Sequence, residues 1–115
     1  SAAEAVRDLL EKSDPAPTAI VAATNAAAAA ALIAARQSTR VPEDLSLIGF
    51  DDSETTRLHG IDLTVIRAPV EDMGTRMVEL VVDRVDSETD PQTVAMLPSL
   101  ITRSTTGPAP DDAPS

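Results

Sequence analysis

Short apolar runs alternate along the chain with segments of helical periodicity. The runs Thr18 to Thr24 and Leu45 to Phe50 are almost continuously apolar and have the length of strands. Such runs are typical of parallel strands that are covered on both faces. Between them, Ala26 to Gln37 has the highest helix propensity in the chain, and its six consecutive alanines allow close approach to a neighbouring backbone. The order strand, helix, strand predicts a βαβ unit.

Helices and a further strand are predicted on both sides of this unit. Ser1 to Lys12 predicts a short helix, because Ser1 and Glu4 have the spacing of a capping box. Leu63 to Arg67 predicts a third strand, and Pro69 opens a long helix that runs to about Asp86. The apolar residues of the long helix share one face, which must find a partner surface. They are Val70, Met73, Met77, Leu80 and Val81.

The remaining segments predict connections and a tail. The polar residues Asp51 to Asp62 predict a loop, and Val94 to Arg103 predicts a peripheral strand interrupted by Pro98. From Ser104 to Ser115, the mixture of Pro, Asp, Ala and Gly predicts a disordered tail. We therefore expect one α/β domain in residues 1–103, built as a small parallel sheet with flanking helices, followed by that tail.

Composition narrows the possible functions. With 19 acidic and 9 basic side chains among 115 residues, the net charge of −10 repels polyphosphates, so we expect no direct binding of DNA. The absence of cysteine and the single histidine, His59, argue against a metal centre and a thiol nucleophile. No apolar run has membrane-spanning length, and the N-terminal residues lack the layout of a signal peptide. A cytoplasmic protein without metal, cofactor, membrane contact or catalytic residues is expected.

Polar residues follow the first two predicted strands where each strand ends. Asn25 follows the first strand, and Asp51 and Asp52 follow the second. Open parallel α/β sheets bind ligands at this edge, and amides and carboxylates there suit sugar or nucleoside hydroxyls. Two simpler explanations stay open: Asn25 could serve only as a helix cap, and a solvated loop carboxylate or a cap is the preferred interpretation of Asp52.

Residues 41–52, VPEDLSLIGFDD, strongly resemble the LacI/GalR-type transcription regulators. Three further pieces agree in order and spacing: PTAIVAATNAAAAAALIAARQ, LTVIRAPVEDMGTRMVELVVDRV and LPSLITRSTTGP. The resemblance covers nearly the whole chain and corresponds to the C-terminal part of the effector-binding core in that family. It implies a Rossmann-like subdomain of periplasmic-binding-protein type, a small-molecule effector held between two subdomains, and dimerisation through the core. DNA would be read only by a helix-turn-helix headpiece, which this chain lacks.

The resemblance also implies roles for individual residues. Asn25 matches the family asparagine that contacts effector hydroxyls, and Asp51 matches the family's effector-binding carboxylate. Asp52 and Arg67 are further candidates for effector contact, although a peripheral cation is the simpler role for Arg67. Where the family commonly has glutamine before the proline of the crossover, this chain has Ala68, which permits a smaller or more apolar effector than a typical sugar.

Two other classes of protein share features with this sequence. A solute-binding protein that delivers sugar to a membrane permease has the same fold, but VPEDLSLIGFDD and ITRSTTGP resemble the regulators more closely. A doubly wound enzyme would need a nucleophile, a base or a cofactor fingerprint, and we find none in the sequence. Because the apolar stripe of the last helix must be covered, we also expect a homodimer or a helix-exchanged oligomer.

Overall fold

The computed structural model describes residues 1–111 and divides the chain into two compact units. Unit 1 comprises Ser1–Arg67 and the segment that begins at Leu100, and unit 2 comprises Ala68–Ser99. The elements follow in the order α1 (Ala2–Lys12), β1 (Ala19–Val21), α2 (Asn25–Ala35), β2 (Ser46–Phe50), α3 (Glu54–Arg57), β3 (Thr64–Arg67), α4 (Val70–Asp86) and β4 (Ser99–Ile101). The capping box predicted for the first helix is present, with Ser1 as the cap of α1.

The strands form a mixed four-stranded sheet in the order β1-β2-β3-β4. β1 runs parallel to β2, with Ile20 opposite Leu47, and β2 runs parallel to β3, with Gly49 opposite Val65. This arrangement confirms the α/β class and the small sheet predicted from the sequence, in which β1, β2 and β3 run parallel. The strands are shorter than the apolar runs, because the ends of each run lead into turns and helix caps.

The hydrophobic core of unit 1 lies where α1, α2 and the sheet meet. It is formed by Val6, Ala28, Ala31, Leu32, Ala35, Leu45, Leu47, Leu63 and Val65. The prediction that the first strand is covered on both faces is wrong for the residues that the structure describes. Val21 is 67% exposed, and Ala19 is exposed as well. Side chains alternate along a strand, so the side of β1 opposite to the partly buried Ile20 is left open.

Small residues set the distance between α2 and β2. A Cβ atom added at Gly49 would lie 2.8 Å from Ala28 Cβ and 2.8 Å from Leu63 Cδ2, which is closer than packed carbon atoms allow. Ala28 itself is fully buried. The alanine run therefore contributes close packing as well as helix propensity, as the sequence predicted.

The segment after β4 is bound to unit 1 through Thr105. The buried Thr105 Oγ1 donates to Leu47 O at 2.7 Å and accepts from Thr64 N at 2.9 Å. In addition, Leu47 N donates to Thr105 O at 2.8 Å. Residues 104–107 are thus bound structure and not the predicted disordered tail, because these hydroxyl and backbone bonds occupy groups of two strands. Residues 112–115 of the predicted tail lie outside the described part of the chain.

Unit 2 consists of α4 and the chain that follows it. α4 ends at Asp86, as the helical periodicity predicted. None of its residues is buried, and the exposed fraction is 65% at Met77 and 63% at Val81. The predicted apolar stripe is present and lies open to solvent.

Within residues 1–111, no helix combines the length and the apolar character that crossing a membrane requires.

Candidate functional site

The ends of β1 and β2 define one edge of the sheet. The two strands are parallel, with Val21 opposite Ile48, so their carboxyl ends point the same way. α2 begins at Asn25 soon after β1, and Asp51 follows β2 directly. The structure therefore places Asn25 and Asp51 at the edge where ligands bind in parallel α/β sheets.

Thr24, and not Asn25, caps helix α2. Thr24 Oγ1 accepts a hydrogen bond from Ala27 N at 3.2 Å, and Thr24 O accepts one from Ala28 N at 2.9 Å. Asn25 occupies the first position of the helix and is partly exposed. The hypothesis that Asn25 serves only as the cap is wrong. The Asn25 carboxamide is therefore not committed to capping.

Asp51 holds an uncommon backbone conformation. Its φ is 68°, in the left-handed region that Asp and Asn tolerate better than other residues with side chains. Asp51 N donates to Ile66 O at 2.9 Å, which ties the end of β2 to β3. The residue is exposed. Asp51 thus presents an exposed carboxylate from a backbone that is fixed to the sheet.

Asp52, the next residue, lies in the opposite environment. Its side chain is only 1% exposed and receives two hydrogen bonds from Arg103, from Nη1 to Oδ1 at 2.9 Å and from Nη2 to Oδ2 at 3.0 Å. Arg57 Nη2 lies 2.9 Å from Oδ2, and Thr56 Oγ1 donates to Oδ1 at 2.9 Å. The preferred interpretation of Asp52 as a solvated loop carboxylate or a cap is wrong, because its side chain is buried and Ser53 caps α3.

The partners of Asp52 keep its carboxylate charged. The hydrogen bonds from Arg103 lower the pKa of Asp52 well below its usual range, against the desolvation that burial imposes. The hydrogen bonds from Arg57 and Thr56 lower the pKa further. Among the described residues, no buried side-chain polar atom lacks a hydrogen-bond partner. Asp52 is therefore an ionised group with its hydrogen bonds satisfied, and not a candidate for proton transfer.

Arg67 lies at the outer side of this cluster. It ends β3, its side chain is half exposed, and its Nη1 is 3.7 Å from Asp52 Oδ2. The other guanidinium groups of the cluster approach the carboxylate more closely. This arrangement agrees with the peripheral cation that the sequence favoured for Arg67.

Two parts of this cluster, helix α3 and Arg103, were not predicted from the sequence. The segment predicted as a loop contains the short helix α3, in which Ser53 Oγ accepts from Thr56 N at 3.4 Å and Thr56 Oγ1 accepts from Ser53 N at 3.0 Å. The spacing of Ser53 and Thr56 was the available signal for this helix. Arg103 carried no such signal, because it lies 51 residues from Asp52 along the chain.

The family pattern of the periplasmic binding protein-like domain matches residues 1–106. The chain belongs to this family. Among curated proteins, this periplasmic binding protein-like domain is 39% identical over 90 residues to the transcriptional regulator CelR of Thermobifida fusca, which covers 77% of the chain and 26% of CelR. It is 35% identical over 97 residues to MalR of Streptomyces coelicolor, covering 83% of the chain and 28% of MalR. The chain thus spans about a quarter of the length of these relatives.

Solved structures of LacI-family regulators share the fold of this domain. A LacI family transcriptional regulator from Bifidobacterium animalis subsp. lactis superposes with a TM-score of 0.86 at 32% identity, over 95% of this chain and 40% of that chain. A complex of the regulator CelR with cellobiose superposes with a TM-score of 0.79 at 34% identity, over 91% of this chain and 32% of that chain. The predicted fold and the resemblance to the effector-binding core of LacI-type regulators are confirmed.

These relatives also bear on the classes considered from the sequence. CelR, MalR and the Bifidobacterium protein are each named as transcription regulators, and not as enzymes or transport proteins. The comparisons therefore favour a regulator over a solute-binding protein for transport.

Proposed function

We propose that this domain senses a small-molecule effector as part of a LacI-type transcription regulator. The observation that carries the proposal is the placement of Asn25 and Asp51 at the carboxyl edge of the parallel sheet, with Asp51 exposed and fixed in a left-handed conformation. A non-glycine residue in that conformation is stabilised by its surroundings and is frequent at ligand sites. The cellobiose complex of CelR supports the proposal, because the CelR chain in that complex is 34% identical to this chain.

The two residues offer complementary chemistry to hydroxyl groups. The Asn25 carboxamide both donates and accepts hydrogen bonds, whereas the Asp51 carboxylate only accepts them. Neighbouring hydroxyls of a sugar or nucleoside-like effector match this pair. Asp52 supports the loop and does not contact the effector, because both of its oxygens are engaged by protein groups. Ala68 replaces an amide that is common in the family, which favours an effector that is smaller or more apolar on that side.

Effector binding would act on DNA only indirectly. The chain has a net charge of −10, so these residues repel the phosphate backbone, and DNA binding belongs to a headpiece outside them. Ligand binding shifts the equilibrium between conformations that differ in affinity for the ligand. We propose that the protein performs this role in the cytoplasm and as a homodimer.

The assignment of Asn25 and Asp51 is tested by paired alanine variants. A thermal-shift screen of hexoses, disaccharides including cellobiose, nucleosides and nucleobases first identifies a ligand for the protein. Asn25→Ala and Asp51→Ala should each weaken its affinity by about 1–3 kcal/mol in calorimetry, the usual cost of a lost hydrogen bond to a polar or charged group.

Asp62→Ala is the matched control for Asp51→Ala. Asp62 also has a left-handed backbone, with a φ of 40°, so both variants place alanine in an unfavourable conformation. Asp62 does not follow a strand at the candidate edge. Equal affinity losses in Asp51→Ala and Asp62→Ala would contradict the assignment, as would full affinity in Asp51→Ala.

A further inference from the structure

Arg103 is bonded at both ends to the start of strand β3, through its backbone to Thr64 and through its side chain to Leu63, the residue before the strand. Its backbone N donates to Thr64 Oγ1 at 2.9 Å, and its Nη1 donates to Leu63 O at 2.9 Å. The side chain is 15% exposed, and its two terminal nitrogens engage the two oxygens of Asp52. A planar guanidinium that makes two parallel bonds fixes both the position and the orientation of its carboxylate partner. Arg103 therefore joins Asp52 to β3 as a rigid link.

Asp51 is attached to the same strand by a different bond. Its N–H donates to Ile66 O at 2.9 Å, so β3 holds residue 51 through the backbone and residue 52 through Arg103. The left-handed φ of 68° at Asp51 lies in a conformation that costs free energy for a residue with a side chain. Such a conformation persists where the surroundings hold the residue on both sides. These two attachments provide that restraint.

We infer that Arg103 is a positioning residue for the effector site: by fixing Asp52, it holds Asp51 in the left-handed conformation that presents its carboxylate at the edge of the sheet. This inference rests on the proposed function, which assigns the Asp51 carboxylate to effector binding. Without the guanidinium, the backbone at Asp51 relaxes toward an extended conformation, and the carboxylate turns away from the edge.

The same contacts would also exist if Arg103 only stabilised the fold. The two roles differ in which residues become more mobile when Arg103 is replaced. If Arg103 only stabilises the fold, its removal should raise amide exchange rates throughout unit 1 by a similar factor. If Arg103 positions Asp51, the exchange rate should rise more at Asp51 than at an equivalent site elsewhere in the sheet. Ala22 is that equivalent site, because it follows β1 as Asp51 follows β2, and its N–H donates to Ile48 O at 2.8 Å.

Amide hydrogen exchange in the whole 115-residue chain, without ligand, separates the two roles. The quantity to compare is the exchange rate of the Asp51 amide divided by that of the Ala22 amide, measured by NMR. Arg103→Met keeps an unbranched side chain of similar length and removes the guanidinium, and it should raise this ratio at least about tenfold. Arg57→Met removes another partner of Asp52, one for which no bond to β3 is found, and should change the ratio less than about threefold.

A milder variant and a direct conformational readout complete the test. Arg103→Lys keeps the charge but loses the two-point geometry, and it should raise the ratio at least about threefold even if Arg103→Met fails to fold. In both Arg103 variants, the strong NOE between the amide and α protons of Asp51, typical of positive φ, should weaken, while that of Asp62 should not. An unchanged ratio and NOE in Arg103→Lys would overturn the inference. Because no ligand is present, a failure to bind any sugar would count against the proposed function alone.

Discussion

Asp52 and Arg103, 51 residues apart, form a two-point ion pair with N–O distances of 2.9 Å and 3.0 Å. The Asp52 side chain is buried, and Arg103 is nearly so. Removing one partner of such a pair leaves an uncompensated charge, which costs far more than the loss of a surface ion pair. The pair therefore binds the loop after β2 to the segment after β4.

Asp52→Asn should lower the free energy of unfolding by about 3 kcal/mol at neutral pH, because Arg103 loses its counter-charge. Urea denaturation followed by far-ultraviolet circular dichroism measures this, since the chain has neither tryptophan nor tyrosine for fluorescence. Asp8→Asn is the control, because Asp8 pairs with Lys12 on the exposed surface, and should cost less than about 1 kcal/mol. Equal losses in the two variants would contradict the importance of the buried pair.

The same pair predicts how stability depends on pH. The pKa of Asp52 is lowered in the folded protein, whereas the unfolded chain protonates this carboxyl near its ordinary pKa of about 3.9. Below about pH 4 the unfolded chain thus binds a proton that the folded protein does not, so the free energy of unfolding falls by up to about 1.4 kcal/mol per pH unit from this group. Asp52→Asn should show a shallower decline between about pH 5 and pH 3. If the unfolding free energy fell with pH equally steeply in the unsubstituted protein and in Asp52→Asn, this explanation would be refuted.

Gly49→Ala tests the close packing of α2 on β2. A methyl group at Gly49 overlaps Ala28 and Leu63, so the free energy of unfolding should fall by about 1–3 kcal/mol. Gly74→Ala is the matched control, because a Cβ at Gly74 in α4 meets no atom within 4 Å and improves helix propensity by about 1 kcal/mol. Urea denaturation of both variants should give changes of opposite sign. An unchanged free energy of unfolding in Gly49→Ala would show that α2 lies farther from the sheet than the structure places it.

Thr105→Val tests the bound segment after β4. Valine has a similar shape but leaves Leu47 O and Thr64 N without their buried partner, which should cost about 1–3 kcal/mol of unfolding free energy. Thr75→Val, at an exposed position of α4, should change the unfolding free energy by less than about 0.5 kcal/mol. If Thr105→Val were as stable as the parent chain, residues 104–107 would behave as the tail that composition suggests.

The open stripe of α4 predicts self-association. Burying side chains such as Met77 and Val81 contributes roughly 1.5–3 kcal/mol each, so a second copy should cover them at micromolar concentration. Sedimentation equilibrium should show a mass that rises with concentration above the 12.0 kDa of one chain. Met77→Glu should reduce this association, whereas Thr75→Glu, on the opposite side of the helix, should not. A single species of about 12 kDa in the unsubstituted chain would contradict the prediction.

Local pattern predicted most of the elements, but neither the short helix α3 nor the contacts between elements. The apolar run of β2 and the helical periodicity of α4 report on neighbouring residues, so the sequence predicted both. Thr24 and Asn25 are both residue types that cap helices, and only the backbone decides between them.

The environments of the two adjacent aspartates illustrate what the sequence could not provide. Asp51 and Asp52 are chemically identical, yet one is exposed and the other is buried against Arg103. Their placement at the end of β2 followed from the apolar pattern. The burial of Asp52 depends on an arginine 51 residues away, which no local signal reveals.

Effector binding at the edge formed by Asn25 and Asp51 can be measured by NMR titration of the ¹⁵N-labelled chain. The titrant is the sugar or nucleoside that stabilises the protein most in the thermal screen, added to millimolar concentration. Chemical-shift changes should be concentrated at the amides of residues 24–26 and 50–53. Saturable changes confined to α4, or to the surface around Arg36 and His59, would contradict effector binding at this edge.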